Sequence, residues 1–324
     1  LLYTTFGVTK TLVSGDPAAI GDTVSYRLVL AVTQGTTSAV TITDVLPTDV
    51  SLDAGSVVVT DATGLTTQYV DEATSVDTTS IPGEILFTLG TVTCTGNAPN
   101  NTITIDYDVV VENGASNTDA ATKTNTATAR GTGVPDSTDD ADLTIHEPVL
   151  TVSKAFENIT ECGQDTTRKL AAHRPQTNDT LRFTTTVSNT SGTATAYDVD
   201  VRDMVDSLVL GNNWFDSSSL DVESATLNGI DQGATYDSPD TTGNVLNWGR
   251  GDGDESIDIA PGETFEVVYT LTMETLGDAE NVTRNVAVDW TSMNGVEAGE
   301  RTGTGAGEND YLASYTHTLY SYNP

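Results

Sequence analysis

The 324-residue chain is poor in positive charge, with 13 Lys and Arg against 47 Asp and Glu and a formal net charge of −34. A surface that acidic repels phosphate backbones and anionic headgroups, which argues against nucleic acid and membrane surfaces as partners. Long hydrophobic runs are missing too. None approaches the roughly 20 apolar residues of a membrane-spanning helix, so no membrane insertion is expected. The only cysteines, Cys94 and Cys162, are too few for a disulfide scaffold and lack metal-ligand spacing. In an oxidising space they could pair with each other, pair between subunits, or stay as thiols. His146, His173 and His317 lie far apart, and there is neither a Gly-x-Ser-x-Gly elbow nor a phosphate-binding glycine loop. No enzyme acting on a separate substrate is expected. The chain opens on Leu1, which fits a processed chain or a segment of a longer one.

What the chain does have is alternation. Val24, Tyr26, Leu28 and Leu30 share one face of a strand, as do Leu181, Phe183, Thr185 and Val187 later. Ile103, Ile105, Tyr107, Val109 and Val111 match Phe265, Val267, Tyr269, Leu271 and Met273, with the two tyrosines in register. Turn residues such as Ser14-Gly-Asp-Pro17 and Ala260-Pro-Gly262 punctuate these runs, and no stretch sustains a helical apolar period. Short strands rich in Thr and Val predict an all-β fold.

The two halves repeat each other. VTKT at 8–11 corresponds to VSKA at 152–155, VTITDVLP ending at Pro47 to VDVRDMVD ending at Asp206, and TNTATA from Thr124 to RNVAVD from Arg284. The expected architecture is two tandem immunoglobulin-like antiparallel β-sandwiches. The first spans 1–148 and the second 149–310, with an insertion at 157–177. Residues 311–324 form a terminal strand that could be donated to a neighbouring subunit.

These repeats resemble the prokaryotic conserved surface-protein repeat known as domain of unknown function eleven, a relative of the Cna B-type stalk domains. The stretches that carry the resemblance are NNTITIDYDVVVENGASNTDAATKTNTATA, LTIHEPVLTVSKAF and VDWTSMNGVEAGERTG. The second half departs from the pattern, because its Asp-Xaa-Leu-Pro turn has become Asp203-Met-Val-Asp206. The resemblance implies an extracellular or cell-surface protein of tandem sandwiches, used as stalk, adhesin or coat. It names no ligand.

One constellation recurs in both halves. Of only four lysines, Lys10 and Lys154 occupy equivalent places in the first strand of each half, on its apolar face. Asp44 and Asp203 continue the apolar faces of later strands. Asn125 and Asn285 fall in the presumed last strands, and the spacing from aspartate to asparagine agrees to within one residue. Core-facing lysines are rare unless paired. Two readings fit. In one, the lysine amine attacks the asparagine carboxamide, with the aspartate moving protons, to leave an intramolecular isopeptide bond; Cna-like domains show the same residue order. In the other, lysine and aspartate are a buried ion pair beside a hydrogen-bonded asparagine.

Weaker signals accompany this set. Asp252, Asp254 and Asp258 place oxygen ligands on alternate residues, as flexible Ca2+ loops do, although the EF-hand glycine and glutamate are missing. Arg250-Gly-Asp252 reads as a turn. Asn100, Asn158, Asn178, Asn189 and Asn281 head Asn-Xaa-Ser/Thr sequons, which are glycan acceptors where exposed. Trp214, Trp248 and Trp290 are the large stacking candidates for a carbohydrate-binding alternative. The leading expectation is a subunit of an extracellular filament or coat that joins other copies of itself head to tail by β-strand addition. The alternative is an adhesin or stalk segment of a longer tandem-repeat surface protein.

Overall fold

A computed structural model describes residues 6–62, 64–95, 101–160, 175, 177–204, 215–232, 245–249, 257–273, 282–295, 298–303 and 311–319. The chain divides into two compact units, Leu1–Glu147 and Pro148–Pro324.

The first unit contains β1 (Gly7–Ser14), β2 (Thr23–Ala31), β3 (Gly35–Val45), β4 (Val50–Leu52), β5 (Val58–Asp61), β6 (Leu65–Thr66) and a single helical turn, α1 (Glu72–Ser75). It continues through β7 (Val76–Asp77), β8 (Glu84–Cys94), β9 (Thr102–Val111), β10 (Thr122–Arg130) and β11 (Ser137–Thr144). One sheet runs β1-β2-β9-β4, with β5 also on β9; the other runs β11-β10-β3-β8-β6, with β7 also on β8. These orders match the A-B-E-D and G-F-C sheets of a constant-type immunoglobulin sandwich, and β8 is an extra strand beyond C.

The second unit contains β12 (Leu150–Asn158), β13 (Thr180–Asn189), β14 (Ala196–Met204), β15 (Phe215–Leu227), β16 (Ile230–Asp231) and β17 (Val245–Gly249). After these come β18 (Ile257–Ile259), β19 (Thr264–Met273), β20 (Val282–Thr291) and β21 (Leu312–Leu319). Its sheets, β12-β13-β19-β15-β16 and β17-β14-β20-β21, with β18 also on β14, repeat the topology of the first unit strand for strand through the A, B, C, E, F and G positions. The fold is all-β, as the alternation predicts.

Period two explains the cores. The alternate residues of β2 and β9 are the ones buried, and they meet Val40, Ile42 and Ala127 from the other sheet in one cluster. In the second unit Phe183, Tyr269, Trp248, Val201 and Val288 do the same. One expectation changes. Asn125 and Asn285 lie on β10 and β20, the next-to-last strands, because β11 and β21 follow. The terminal strand β21 pairs over its whole length with β20 of its own unit, from Val282↔Leu319 to Asp289↔Leu312.

The free edge of β1 is closed by side chains. The amides of Val8 and Lys10 point away from β2 and donate to Ser137 Oγ at 3.1 Å and Asp139 Oδ2 at 2.7 Å on β11. An edge that would otherwise offer unpaired donors is thereby satisfied within the unit.

Candidate functional site: a lysine–aspartate–asparagine set between the sheets

The site of the first unit bridges its two sheets. β1 supplies Lys10, β9 supplies Tyr107, and β3 and β10 bring Asp44 and Asn125 from the facing sheet. Asp44 is opposite Ala127 on β10, so Asn125, two residues along, is its diagonal neighbour on the inner face. Lys10 is 6% exposed, and Asp44 and Asn125 are fully buried.

The polar groups form one network. Lys10 Nζ donates to Asp44 Oδ2 at 2.5 Å and to the Tyr107 hydroxyl at 2.6 Å. Tyr107 donates in turn to the same Asp44 oxygen and accepts from Asn125 Nδ2 at 3.2 Å. One phenolic oxygen therefore holds the amine and the carboxamide within two hydrogen-bond lengths of each other. The amine also lies over the rings of Tyr26 and Tyr107, at 4.8 and 5.3 Å from their centroids. Among the described residues, Asp44 Oδ1 and Asn125 Oδ1 are buried without a hydrogen-bond donor.

Burial dominates the electrostatics. It pushes the Lys10 amine below its ordinary pKa, against the raising influence of Asp44 and Asp139. It pushes the Asp44 carboxyl above the usual range, against the lowering influence of Lys10 and Tyr107. Both shifts favour the uncharged forms. A neutral amine has two N–H bonds, which its two acceptors use, and its lone pair is left over. A proton on Asp44 Oδ1 would make a donor of an oxygen that accepts no hydrogen bond.

The second unit repeats the set. Lys154, 4% exposed, donates to Asp203 Oδ1 and to the Tyr269 hydroxyl at 3.0 Å, and Tyr269 donates to Asp203 Oδ2 at 2.9 Å. Asn285 pairs by its backbone with Thr316, and its side chain lies outside the described residues. Sequence reasoning found the lysine, aspartate and asparagine but not the tyrosine. The matched Tyr107 and Tyr269, the one hydroxyl-bearing residue on each otherwise apolar face, were the available signal.

The remaining candidates disperse. Cys94 ends β8 in register with Gly35 and Leu65 and is 2% exposed in the core; Cys162 lies outside the described residues. Asp252 and Asp254 also lie outside them. Asp258 sits on β18, where its two oxygens accept from the Asp198 amide and the Asn294 side chain. Burial, and then the nearby Asp198 carboxylate, raise the Asp258 pKa. Among the described residues no group of three or more His, Cys, Asp or Glu could hold a metal. The described residues also contain no helix long and apolar enough to cross a membrane.

Of the sequons, Asn100 and Asn281 are outside the described residues. Asn178 is exposed on a turn at φ 68°. Asn158 is half-buried and donates to Asp179. Asn189 is 1% exposed and spends its side-chain amide on the carbonyls of Ala194 and Ile259, which corrects its expectation as a glycan acceptor. Trp248 and Trp290 are buried at 0% and 6% exposure, so neither offers a face to a sugar; Trp214 is outside the described residues.

What the fold and site define is a tandem immunoglobulin-like sandwich with an amine, a carboxyl and a carboxamide assembled between the sheets of its first unit. No protein-family model matches the chain, and no curated protein matches its sequence. Solved structures align with low identity. The C-terminal domain of the Streptococcus agalactiae AgI/II polypeptide BspA is 9% identical over 98% of this chain and 100% of its own, with a TM-score of 0.45. The serine-rich repeat protein Srr2 of the same species is 10% identical over 97% of this chain and 92% of its own, at a TM-score of 0.27. The collagen-binding subdomain of the Enterococcus faecalis surface protein ACE is 11% identical over 45% of this chain and 98% of its own, at 0.26. At these scores the likenesses decide nothing about ligand or assembly.

Proposed function

We propose that the chain is a load-bearing segment of a cell-surface stalk, whose sandwiches are closed covalently by a bond from Lys10 to Asn125, with Lys154, Asp203 and Asn285 as the corresponding set. The observation that carries this reading is the buried network in which Tyr107 holds the Lys10 amine and the Asn125 carboxamide together beside Asp44. The amine attacks Asn125 Cγ, Asp44 protonates the carbonyl and relays the amine's proton to Nδ2, and ammonia leaves. This is a single self-directed event, not turnover. The bond ties the first strand to the next-to-last and closes a loop of more than 100 residues, which contributes about 4–5 kcal/mol on loop-closure grounds. The stalk reading is preferred to head-to-tail strand addition because β21 is paired within its own unit and the β1 edge is already satisfied.

Pulling on single molecules by their ends tests the mechanical role. Chain between residues 10 and 125 should be shielded from load, and the Lys10→Arg variant should release it. Release of the full first unit from the unmodified protein would remove the covalent reading.

The reaction should depend on pH in both directions. With the Lys10 pKa lowered from 10.5 and that of Asp44 raised from 3.8, the reactive pair shares one proton at intermediate pH. At lower pH the amine is protonated; at higher pH the acid is ionised. A bell-shaped rate of ammonia loss is expected, with the amine's protonation setting the acid limb and ionisation of the Asp44 carboxyl the alkaline limb. Mass measurement on freshly synthesised chain checks it, and a rate that rises steadily to high pH would remove the role of Asp44 as an acid.

A further inference from the structure

The two copies of the site differ at more than one buried position: Tyr26 of β2 is matched by Phe183 of β13, and Leu28 by Thr185, the difference that reaches the carboxyl. Lys10 lies opposite Leu28 on β2, and Lys154 lies opposite Thr185 on β13. The Thr185 hydroxyl, fully buried, donates to Asp203 Oδ2 at 2.9 Å, beside the Tyr269 hydroxyl on the same oxygen. Lys154 occupies Oδ1. Both oxygens of Asp203 therefore accept, from three donors in all. Asp44 receives Lys10 and Tyr107 on Oδ2 and, among the described residues, nothing on Oδ1.

That difference matters for proton transfer. Protonating a carboxylate oxygen weakens any hydrogen bond it accepts. Asp44 can take a proton on Oδ1 without placing it on an oxygen that already accepts, whereas each oxygen of Asp203 already accepts. Buried charge-assisted hydrogen bonds are the strong ones, so the loss is felt.

We propose that Thr185 is a positioning residue that keeps Asp203 an acceptor, so that the Lys154–Asn285 bond forms more slowly than the Lys10–Asn125 bond. The proposal rests on the covalent reading of the site. The reaction is balanced in either unit: lysine amine and asparagine carboxamide give a secondary amide and ammonia. The Nζ–Cγ bond forms, the Cγ–Nδ2 bond breaks, one amine proton ends on the departing nitrogen, and the aspartate is regenerated without any co-reactant. The asymmetry would make the first unit rigid early and leave the second extensible for longer.

The test follows ammonia loss in each unit separately, by peptide mass mapping of the full chain at intervals after cell-free synthesis. The Thr185→Val variant keeps the volume and removes the hydroxyl, and should speed bond formation in the second unit by about tenfold or more. Thr185→Ser, which restores a hydroxyl, should stay slow, and the converse Leu28→Thr should slow the first unit. The pH profile of the second unit in Thr185→Val should move toward that of the first, a change that a mere packing effect would not give. Equal rates in the two units of the unmodified chain, or no response to Thr185→Val in a folded variant, would overturn the proposal and leave the Lys10–Asn125 bond standing. Absence of ammonia loss from both units in every variant would overturn the covalent reading and this proposal with it.

Discussion

Asp44→Ala should leave the first unit with its full mass, no ammonia lost, and should lower its stability more than any other single change at the site. Two effects act together. The variant strands the Lys10 amine between the sheets with its carboxyl partner removed, and leaving a buried polar group unsatisfied in this way costs about 1–3 kcal/mol. It also removes the proton carrier, so the covalent closure and its roughly 4–5 kcal/mol are absent. The sum reaches the lower part of the stability range of an ordinary domain. Thermal unfolding should show an early transition from the first unit, with the second unit's unchanged. The Asp44→Asn variant preserves the volume, should fold, and should still retain its ammonia. Bond formation in either variant would show that Asp44 has no part in the chemistry.

Trp248→Ala should unfold the second unit and spare the first. The indole is at 0% exposure in β17, with its ring 5.8 Å from that of Tyr269. Truncating a buried aromatic of this size costs about 3–5 kcal/mol through lost contacts and the cavity left behind. A tryptophan on the surface, stacking on a sugar, would cost less than about 0.5 kcal/mol when removed. Calorimetry with two resolved transitions separates these outcomes. An unshifted second transition would restore Trp248 as a ligand platform.

Legibility followed the strength of the local pattern. Strands β2, β9, β13 and β19 were plain in the sequence because one face of each is buried, so apolar residues recur every second position. β11 was not, since Ser137–Thr144 buries only Leu143 and reads as a polar turn region; this is why Asn125 was assigned to the last strand. Lys10 and Lys154 stood out because lysine is so scarce in the chain and both sat on apolar faces. Tyr107 and Tyr269 looked like core residues, which they also are. Their hydroxyls matter only once the opposite sheet is in place, and that is non-local information. Thr185 falls on the inner face by alternation, but threonine is abundant on these strands, and its acceptor, Asp203, comes from the facing sheet.

The bonds from Val8 and Lys10 to Ser137 and Asp139 bear on how such a chain could be lengthened. Covalently joined sandwiches sit at very high mutual concentration, where an open first strand would invite exchange with an adjacent copy. In the first unit the outward amides of Val8 and Lys10 are already taken by its own module, which opposes misassembly during synthesis. A gene encoding modules of this kind could be extended by duplication, each added copy folding as an insulated bead, with reach gained by count and no redesign of the parts.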